Sequence, residues 1–176
     1  KLIKAKTNAN TGNDIGVTPL ALAVRNRNPD MVATLLKAGA NPNTAMWSGE
    51  TPLMTASRTG LSKIVTSLID HGADINVREP RRGQSALMWA ISFKNPEVAS
   101  ILINKGADIS ISTTRLKDTQ DYSPMILGGY AGNVQSVPQG GYTPLMFAAR
   151  VGDLNNAKQL VNRGANVNDV SVEDGS

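Results

Sequence analysis

Thr18-Pro19-Leu20, Thr51-Pro52-Leu53, Ser85-Ala86-Leu87 and Thr143-Pro144-Leu145 repeat one short pattern along the chain. Successive copies lie 33, 34 and 58 residues apart. A second pattern keeps the same steps and occurs as Gly39-Ala40-Asn41, Gly72-Ala73-Asp74, Gly106-Ala107-Asp108 and Gly164-Ala165-Asn166. Because two separate patterns advance together, the sequence predicts an array of structural repeats with a period of 33 or 34 residues.

The first pattern predicts the start of a short helix. A Thr or Ser side chain accepts a hydrogen bond from a free backbone N–H of the first turn, and Pro suits the first helical position. A second helix is expected to begin at Asn28-Pro29 and Asn95-Pro96 by the same capping logic. In the other two repeats it is expected to begin after Gly60 and Gly152.

The second helix carries apolar residues in pairs one turn apart, as in Met31-Val32 and Leu35-Leu36. This spacing predicts one buried stripe along the helix. The Gly of the second pattern falls just after the helix, where a left-handed backbone conformation ends a helix most easily. Each repeat is therefore predicted to be a helix pair followed by a polar connector.

These features, Thr-Pro-Leu-x-x-Ala followed by Leu-Leu-x-x-Gly-Ala-Asp/Asn-x-Asn, resemble the ankyrin repeat. The resemblance covers four units and most of residues 16–168. It implies an all-α fold, an ankyrin-type α-solenoid of stacked helix-turn-helix repeats with hairpin-like connectors. Where the family usually has His after Thr-Pro-Leu, this chain has Ala21, Met54, Met88 and Met146. That His makes polar contacts between repeats in the family, so apolar packing by Met is expected to replace them.

The repeat boundaries follow from this register. We expect the tail of a preceding repeat at 1–13, ankyrin repeats at 14–46, 47–80, 81–111 and 141–169, and the start of a further repeat at 170–176. Both ends are therefore expected to fall within repeats.

Residues 112–140 hold the 24 extra residues of the long step. One interpretation is a long loop, because the stretch is rich in Gly and Pro. The other is a decayed repeat, because Ser123-Pro124-Met125 matches the start of a first helix. Gly128 and Gly129 would each cost that helix about 1 kcal/mol relative to Ala. The loop is the favoured interpretation, and the interruption is expected to break the regular stack.

Composition limits the class of protein. The chain of 176 residues is 40% hydrophobic and 18% charged, enough for a packed core, and its net charge of +4 favours acidic partners. The basic residues are scattered, so no nucleic-acid partner is expected. No stretch approaches the roughly 18 apolar residues of a membrane span. The compartment stays unassigned; the family default is intracellular, and sequence before residue 1 could carry an export signal.

The residue inventory predicts neither catalysis nor a cofactor. His71 is the only His and there is no Cys, so neither a metal site nor a Cys–His pair can be assembled. His71 is expected to be exposed at the end of a second helix. The Gly-rich run at 128–132 lacks the Lys and Ser or Thr of a phosphate-binding loop. We therefore expect no enzyme, no metal and no cofactor in this segment.

Binding is expected on the connector tips and the inner helices, as the resemblance implies. Three repeats have Arg at one equivalent position, which suggests a broken basic line, although Arg at a helix end also favours the helix dipole. Trp47 is either a contact anchor or a lid over its own loop, whereas Trp89 is expected to pack in the core. The candidate partner-binding residues are Arg25, Trp47, Ser48, Glu50, Arg58, Arg81, Arg82, Phe93, Tyr142 and Arg150.

The expected function is that of a monomeric protein–protein interaction scaffold that binds through its concave face and connector tips. The partner is expected to be another protein with an acidic surface. The alternative is a regulatory or targeting ankyrin segment of a larger multidomain enzyme. A third hypothesis gives residues 112–140 a ligand or partner of their own.

Overall fold

A computed structural model describes residues 8–114 and 140–171 of the chain. Within them, four helix pairs follow one another, each with an inner helix and then an outer helix. The inner helices are α1 (Pro19–Arg25), α3 (Pro52–Thr59), α5 (Ala86–Ser92) and α7 (Pro144–Val151). The outer helices are α2 (Pro29–Lys37), α4 (Ser62–Asp70), α6 (Pro96–Asn104) and α8 (Leu154–Asn162). The predicted all-α solenoid is confirmed.

The predicted caps of the inner helices are confirmed. Each Thr or Ser adopts extended backbone geometry and accepts a hydrogen bond from the backbone N–H three residues later. The donor-to-acceptor distances are 3.2 Å for Thr18, 3.3 Å for Thr51, and 3.5 Å for Ser85 and Thr143. These residues are also buried, so each cap satisfies its hydroxyl group within the protein interior.

The outer helices begin where the sequence predicts, but the predicted cap of one of them is wrong. Asn28 accepts from the Met31 N–H at 2.9 Å, as predicted. Asn95 makes no such bond to its own helix. Its Nδ2 instead donates to the carbonyl oxygens of Ser57 and Arg58, at 2.8 and 2.9 Å, at the end of α3. Asn95 therefore joins two neighbouring repeats, a contact that a single-repeat pattern does not contain.

The core is a continuous apolar layer between the inner and outer helices. Met54 and Met88 are fully buried in it, which confirms that Met packs where the family usually has His. Ala21 is buried as well, and Met146 is half-buried. Apolar side chains with large exposure remain on the outermost pairs, as at Leu22, Met31 and Leu154, because those pairs have a neighbour on one side only within the described residues.

The fourth helix pair packs directly on the third. Helix α5 contacts α7 and α6 contacts α8. Asn156 also donates to the Pro96 carbonyl at 3.0 Å, and Arg163 donates to Asn104 at 2.9 Å. The expectation that the interruption breaks the stack is therefore wrong. The candidate decayed copy at residues 123–134 lies outside the described residues.

The interruption enters through the connector between α6 and α7. On its two sides, the Thr113 N–H donates to the Tyr142 carbonyl and the Gly141 N–H donates to the Thr113 carbonyl, both at 3.0 Å. The connector before α5 is closed in a similar way by an antiparallel bridge between Arg78 and Ser85. Because the hydrogen bonds close the connector before residue 115, the helices on either side keep their normal packing.

A row of Asn side chains links neighbouring repeats along the loops after the outer helices. The side chain of Asn10 accepts from the Asn41 N–H at 2.6 Å, Asn43 accepts from Asp74 at 2.8 Å, and Asn76 accepts from Asp108 at 2.8 Å. Ser110 occupies the next position and donates to Asp108 within its own loop, through Oγ at 2.7 Å. This bond holds the pKa of Asp108 below its ordinary value.

Lys94→Gly should stabilise the protein. The turn between inner and outer helix requires a positive φ, which Gly60 and Gly152 adopt at 73° and 76°, but Lys94 adopts at 56°. A non-glycine residue in this conformation costs about 1 kcal/mol or more. The added flexibility of Gly in the unfolded chain offsets part of that gain. We expect a rise of about 0.5–1 kcal/mol in the free energy of unfolding, measured by urea denaturation.

Gly60→Ala is the converse control at the equivalent turn. A Cβ there would lie 2.5 Å from Oδ1 of Asn95, in addition to the backbone strain. It should lower the free energy of unfolding by about 1–2 kcal/mol. A Lys94→Gly protein that is less stable than the wild type would contradict this account of the turn.

Candidate functional site

The inner helices carry a different set of charges from the outer helices. Arg25, Arg58 and Arg150 lie on the inner helices, which have no acidic residue. The outer helices have three Lys and three acidic residues, so their charges balance. We call the exposed side of α1, α3, α5 and α7, together with the connectors that precede them, the inner-helix surface. Among the described helices, the excess positive charge is confined to this surface.

Aromatic residues are confined to the same helices and connectors. All five that the structure describes lie on inner helices, at the end of one, or in the connectors that precede them, namely Trp47, Trp89, Phe93, Tyr142 and Phe147. Trp and Tyr, together with Arg, are the residue types that contribute most binding energy at protein interfaces. The described part of the chain therefore collects these residue types on one side of the repeat stack.

Arg58 is held by a carboxylate and an aromatic ring from two repeats. Its guanidinium group forms an ion pair with Oε1 of Glu50 at 3.2 Å and lies 5.4 Å from the centre of the Trp89 ring. The same oxygen of Glu50 accepts from the Thr55 hydroxyl at 2.7 Å. The Trp89 ring in turn contacts Phe93 at 6.3 Å. This group of residues is preorganised, because each charged or polar member is fixed by a neighbour.

Arg150 is held by rings of its own repeat. Its guanidinium group lies 5.7 Å from the Tyr142 ring centre and 5.2 Å from that of Phe147. The two rings are 5.8 Å apart and tilted by 48°. Cation–π contacts of this kind contribute about 0.5–1 kcal/mol at exposed sites. The exposed Arg150 charge therefore has a defined position, and no carboxylate of residues 8–114 or 140–171 neutralises it.

Trp47 projects from a connector and is 80% exposed. This exposure excludes the interpretation of Trp47 as a lid over its own loop. Its backbone N–H donates to the Ile15 carbonyl at 3.3 Å, so the connector itself is tied to its neighbour. Ser48, in the same connector, accepts from the Glu50 N–H at 3.4 Å and is half-buried. The indole of Trp47 is therefore exposed, whereas hydrogen bonds hold the backbone of the connector that carries it.

The connector before α5 is built around a buried carboxylate. Glu79 is 6% exposed and accepts from the backbone N–H groups of Arg81, Arg82 and Gln84 at 2.8–3.0 Å. The Arg81 side chain is exposed and that of Arg82 is half-buried. Arg78, the third basic residue of this connector, donates to the Ser112 carbonyl at 2.7 Å and so links two connectors. Arg81 is exposed, and no side-chain hydrogen bond or ion pair to the described residues holds its guanidinium group.

The structure brings some predicted site residues together and leaves others apart. Glu50, Arg58 and Phe93 belong to one group, and Tyr142 and Arg150 to another. Arg25 is exposed at the end of α1, and no carboxylate of the described residues lies within 4 Å of it.

Trp89 and Phe147 were missed as the rings that support arginines of this surface. Trp89 does pack against the core, as expected, but its ring also supports Arg58. The signal available in the sequence was their shared position in the repeat, two residues after Leu87 and Leu145.

His71, the only histidine, ends α4 and is exposed, with Nδ1 2.8 Å from the Ser67 carbonyl oxygen. Across residues 8–114 and 140–171, no group of three or more Asp, Glu or His side chains could hold a metal ion. None of the helices described is long and apolar enough to cross a membrane.

Comparison with known proteins agrees with the repeat geometry. The family model described as ankyrin repeats in three copies matches residues 1–79, 43–113 and 81–171. A search of curated proteins found no match to the chain. The three family matches together run over residues 1–171, including the long step, and they agree with the four helix pairs and their connectors. The chain belongs to the ankyrin-repeat family.

Proposed function

We propose that this chain is a scaffold that binds an acidic segment of a partner protein on the inner-helix surface. Ankyrin repeats are generally protein–protein interaction modules. The observation that carries the finer proposal is the segregation of charge. The inner helices hold three Arg residues and no acidic residue, whereas charges balance on the outer helices. A surface of one charge sign attracts a partner of the opposite sign and accelerates association.

The chemistry of the surface favours a protein over a nucleic acid. On the inner helices the cations are isolated, with one Arg on each of three helices, and Glu50 lies among them. The basic residues of the connector before α5 surround the carboxylate of Glu79. A nucleic-acid surface carries a continuous row of Lys and Arg that follows the phosphates. Aromatic side chains beside single Arg residues are typical of protein interfaces. We propose a binding role without catalysis. We also propose that the protein binds as a monomer, because one chain supplies every residue of the proposed binding surface.

Reversing the charge of two inner-helix arginines should abolish the preference for acidic peptides. Wild type, Arg25→Glu with Arg150→Glu, and the matched pair Lys63→Glu with Lys158→Glu would each be immobilised as the full chain. A displayed library of random twelve-residue peptides would be selected on each. Both double variants change the net charge equally, but Lys63 and Lys158 lie on outer helices. We expect enrichment of Asp and Glu with the wild type and the outer-helix variant, and its loss with the inner-helix variant.

Circular dichroism spectra would confirm that the three proteins fold alike. Equal loss of acidic peptides in both double variants would mean that net charge alone attracts them. No enrichment on the wild-type protein would contradict the proposal outright. Selection at 0.5 M salt should weaken the preference for acidic residues, because the Debye length falls below about 5 Å.

Trp47→Ala should weaken binding of a selected peptide without unfolding the protein. An indole that becomes buried on binding contributes about 1–2 kcal/mol or more, so the dissociation constant should rise about tenfold. The free energy of unfolding should change by less than about 0.5 kcal/mol, because the side chain is exposed. Fluorescence anisotropy of a labelled peptide measures the first quantity and urea denaturation the second.

Leu154→Ala is the matched control, because Leu154 is 63% exposed and lies on an outer helix. It should leave peptide affinity unchanged. An equal loss of affinity in the two variants, or none in Trp47→Ala, would remove Trp47 from the binding surface.

A further inference from the structure

The positive charges of the inner-helix surface are not equivalent. Of the three arginines on the inner helices, Arg58 is the one that a carboxylate of the described residues neutralises, because Glu50 lies 3.2 Å from it. The Glu50 side chain is only 15% exposed, and the Thr55 hydroxyl also holds it, so it does not leave Arg58 easily. We call Glu50, Arg58, Trp89 and Phe93 the neutral centre. Its net charge is zero, and Phe93 gives it an exposed apolar side chain.

The cations on either side of the neutral centre are not neutralised. No carboxylate of the described residues lies within 4 Å of Arg25 or Arg150. On α5, Ser92 occupies the position that Arg holds in the other three inner helices. No inner-helix cation therefore lies between Arg58 and Arg150. Along the inner helices themselves, the pattern is a free cation, the neutral centre and a second free cation. Arg81, in the connector before α5, and Lys94, in the turn after it, lie outside the helices.

The neutral centre is also a poor binding site for a charged group of a partner. The buried Nε1 of Trp89 and Oγ of Ser92 make no hydrogen bond, but both are out of contact with solvent, so a partner cannot reach them as donors. An acidic group placed above the centre would meet the carboxylate of Glu50 beside a cation that is already paired. Like charges that face each other across an interface reduce affinity and specify against the wrong partner.

Resting on the function proposed above, we propose that the partner is an extended peptide segment with acidic residues at two separated positions and a large apolar residue between them. The acidic residues pair with Arg25 and Arg150, and the apolar residue packs on Trp89 and Phe93. Glu50 is the residue that determines this specificity, because it prevents an acidic residue from binding at the centre.

The repeat spacing sets the spacing of the partner's residues. Packed helices lie about 10 Å apart, so Arg25 on α1 and Arg150 on α7 are separated by about 30 Å. An extended peptide covers that length with about nine residues at roughly 3.3 Å each. Helix α5 is two steps from α1 and one step from α7. The apolar residue should therefore lie about six residues from one acidic position and about three from the other.

The inference is tested by the positions of acidic and apolar residues in the peptides selected from the random library. These positions are analysed independently of the total charge of each peptide. On wild-type protein, the peptides should show two acidic positions about nine apart, an apolar residue between them, and few acidic residues beside it. On Glu50→Gln protein, acidic residues should appear beside the apolar position, because Arg58 is then free to pair with them. Glu97→Gln, which removes an acidic residue from outer helix α6, should give the wild-type pattern.

Affinity provides the second measurement. A peptide recovered on wild-type protein would be compared with a second peptide of the same composition whose acidic residues are moved next to the apolar residue. The second peptide should bind wild-type protein about tenfold more weakly, and Glu50→Gln protein within about threefold of the first. If both peptides bind wild-type protein equally, the position-specific inference fails while the proposed function stands. If neither binds more tightly to the wild type than to Arg25→Glu with Arg150→Glu, the proposed function itself fails.

Discussion

The packing of each inner helix against its neighbours is the constraint on which the rest of this structure depends. Helix α5 lies between α3 and α7, and its Leu87, Met88 and Ala90 are fully buried. A helix of seven residues is too short to be stable alone in water. Burial from both sides supplies the missing free energy, at roughly 25 cal/mol for each Å² of apolar surface removed from water. The repeat period in the sequence therefore follows from the requirement that each helix pair pack on the next.

The same packing determines which residues can be functional. Leu, Met and Ala of each repeat face the core, whereas the arginines near the ends of the inner helices are exposed and Trp89 lies between, partly buried against the core. Successive repeats place these positions side by side, so Arg58 of one repeat reaches the ring of Trp89 in the next. A surface built in this way is rigid before binding, which reduces the entropy lost when a partner is bound.

The sequence predicts what a single repeat determines and misses what two repeats determine together. The caps at Thr18 and Thr51 and the glycines after the outer helices could be predicted because their hydrogen bonds close within a few residues. The contact of Asn95 with α3 could not, because its partner lies 37 or 38 residues away. The same holds for the candidate site. The periodic positions of Arg were visible, but the Glu50–Arg58 pair and the ring beneath Arg58 depend on side-chain conformation and on the neighbouring repeat.

The continuity of the stack across the long step follows from comparing two free energies. Lengthening a closed connector from about six residues to about thirty costs only about 1–1.5 kcal/mol of loop-closure entropy, since each doubling costs about 0.6 kcal/mol. Packing α7 and α8 on the third pair buries Phe147 and Leu160, and full burial of one such side chain contributes about 1.5–3 kcal/mol. Packing therefore outweighs the entropy even before the hydrogen bonds of Asn156 and Arg163 to the third repeat are counted. The bonds between Thr113, Gly141 and Tyr142 close the described part of this connector next to α7. An insertion at this point can grow without displacing Arg150 from the inner-helix surface, whereas an insertion within a helix would shift every outward position that follows it.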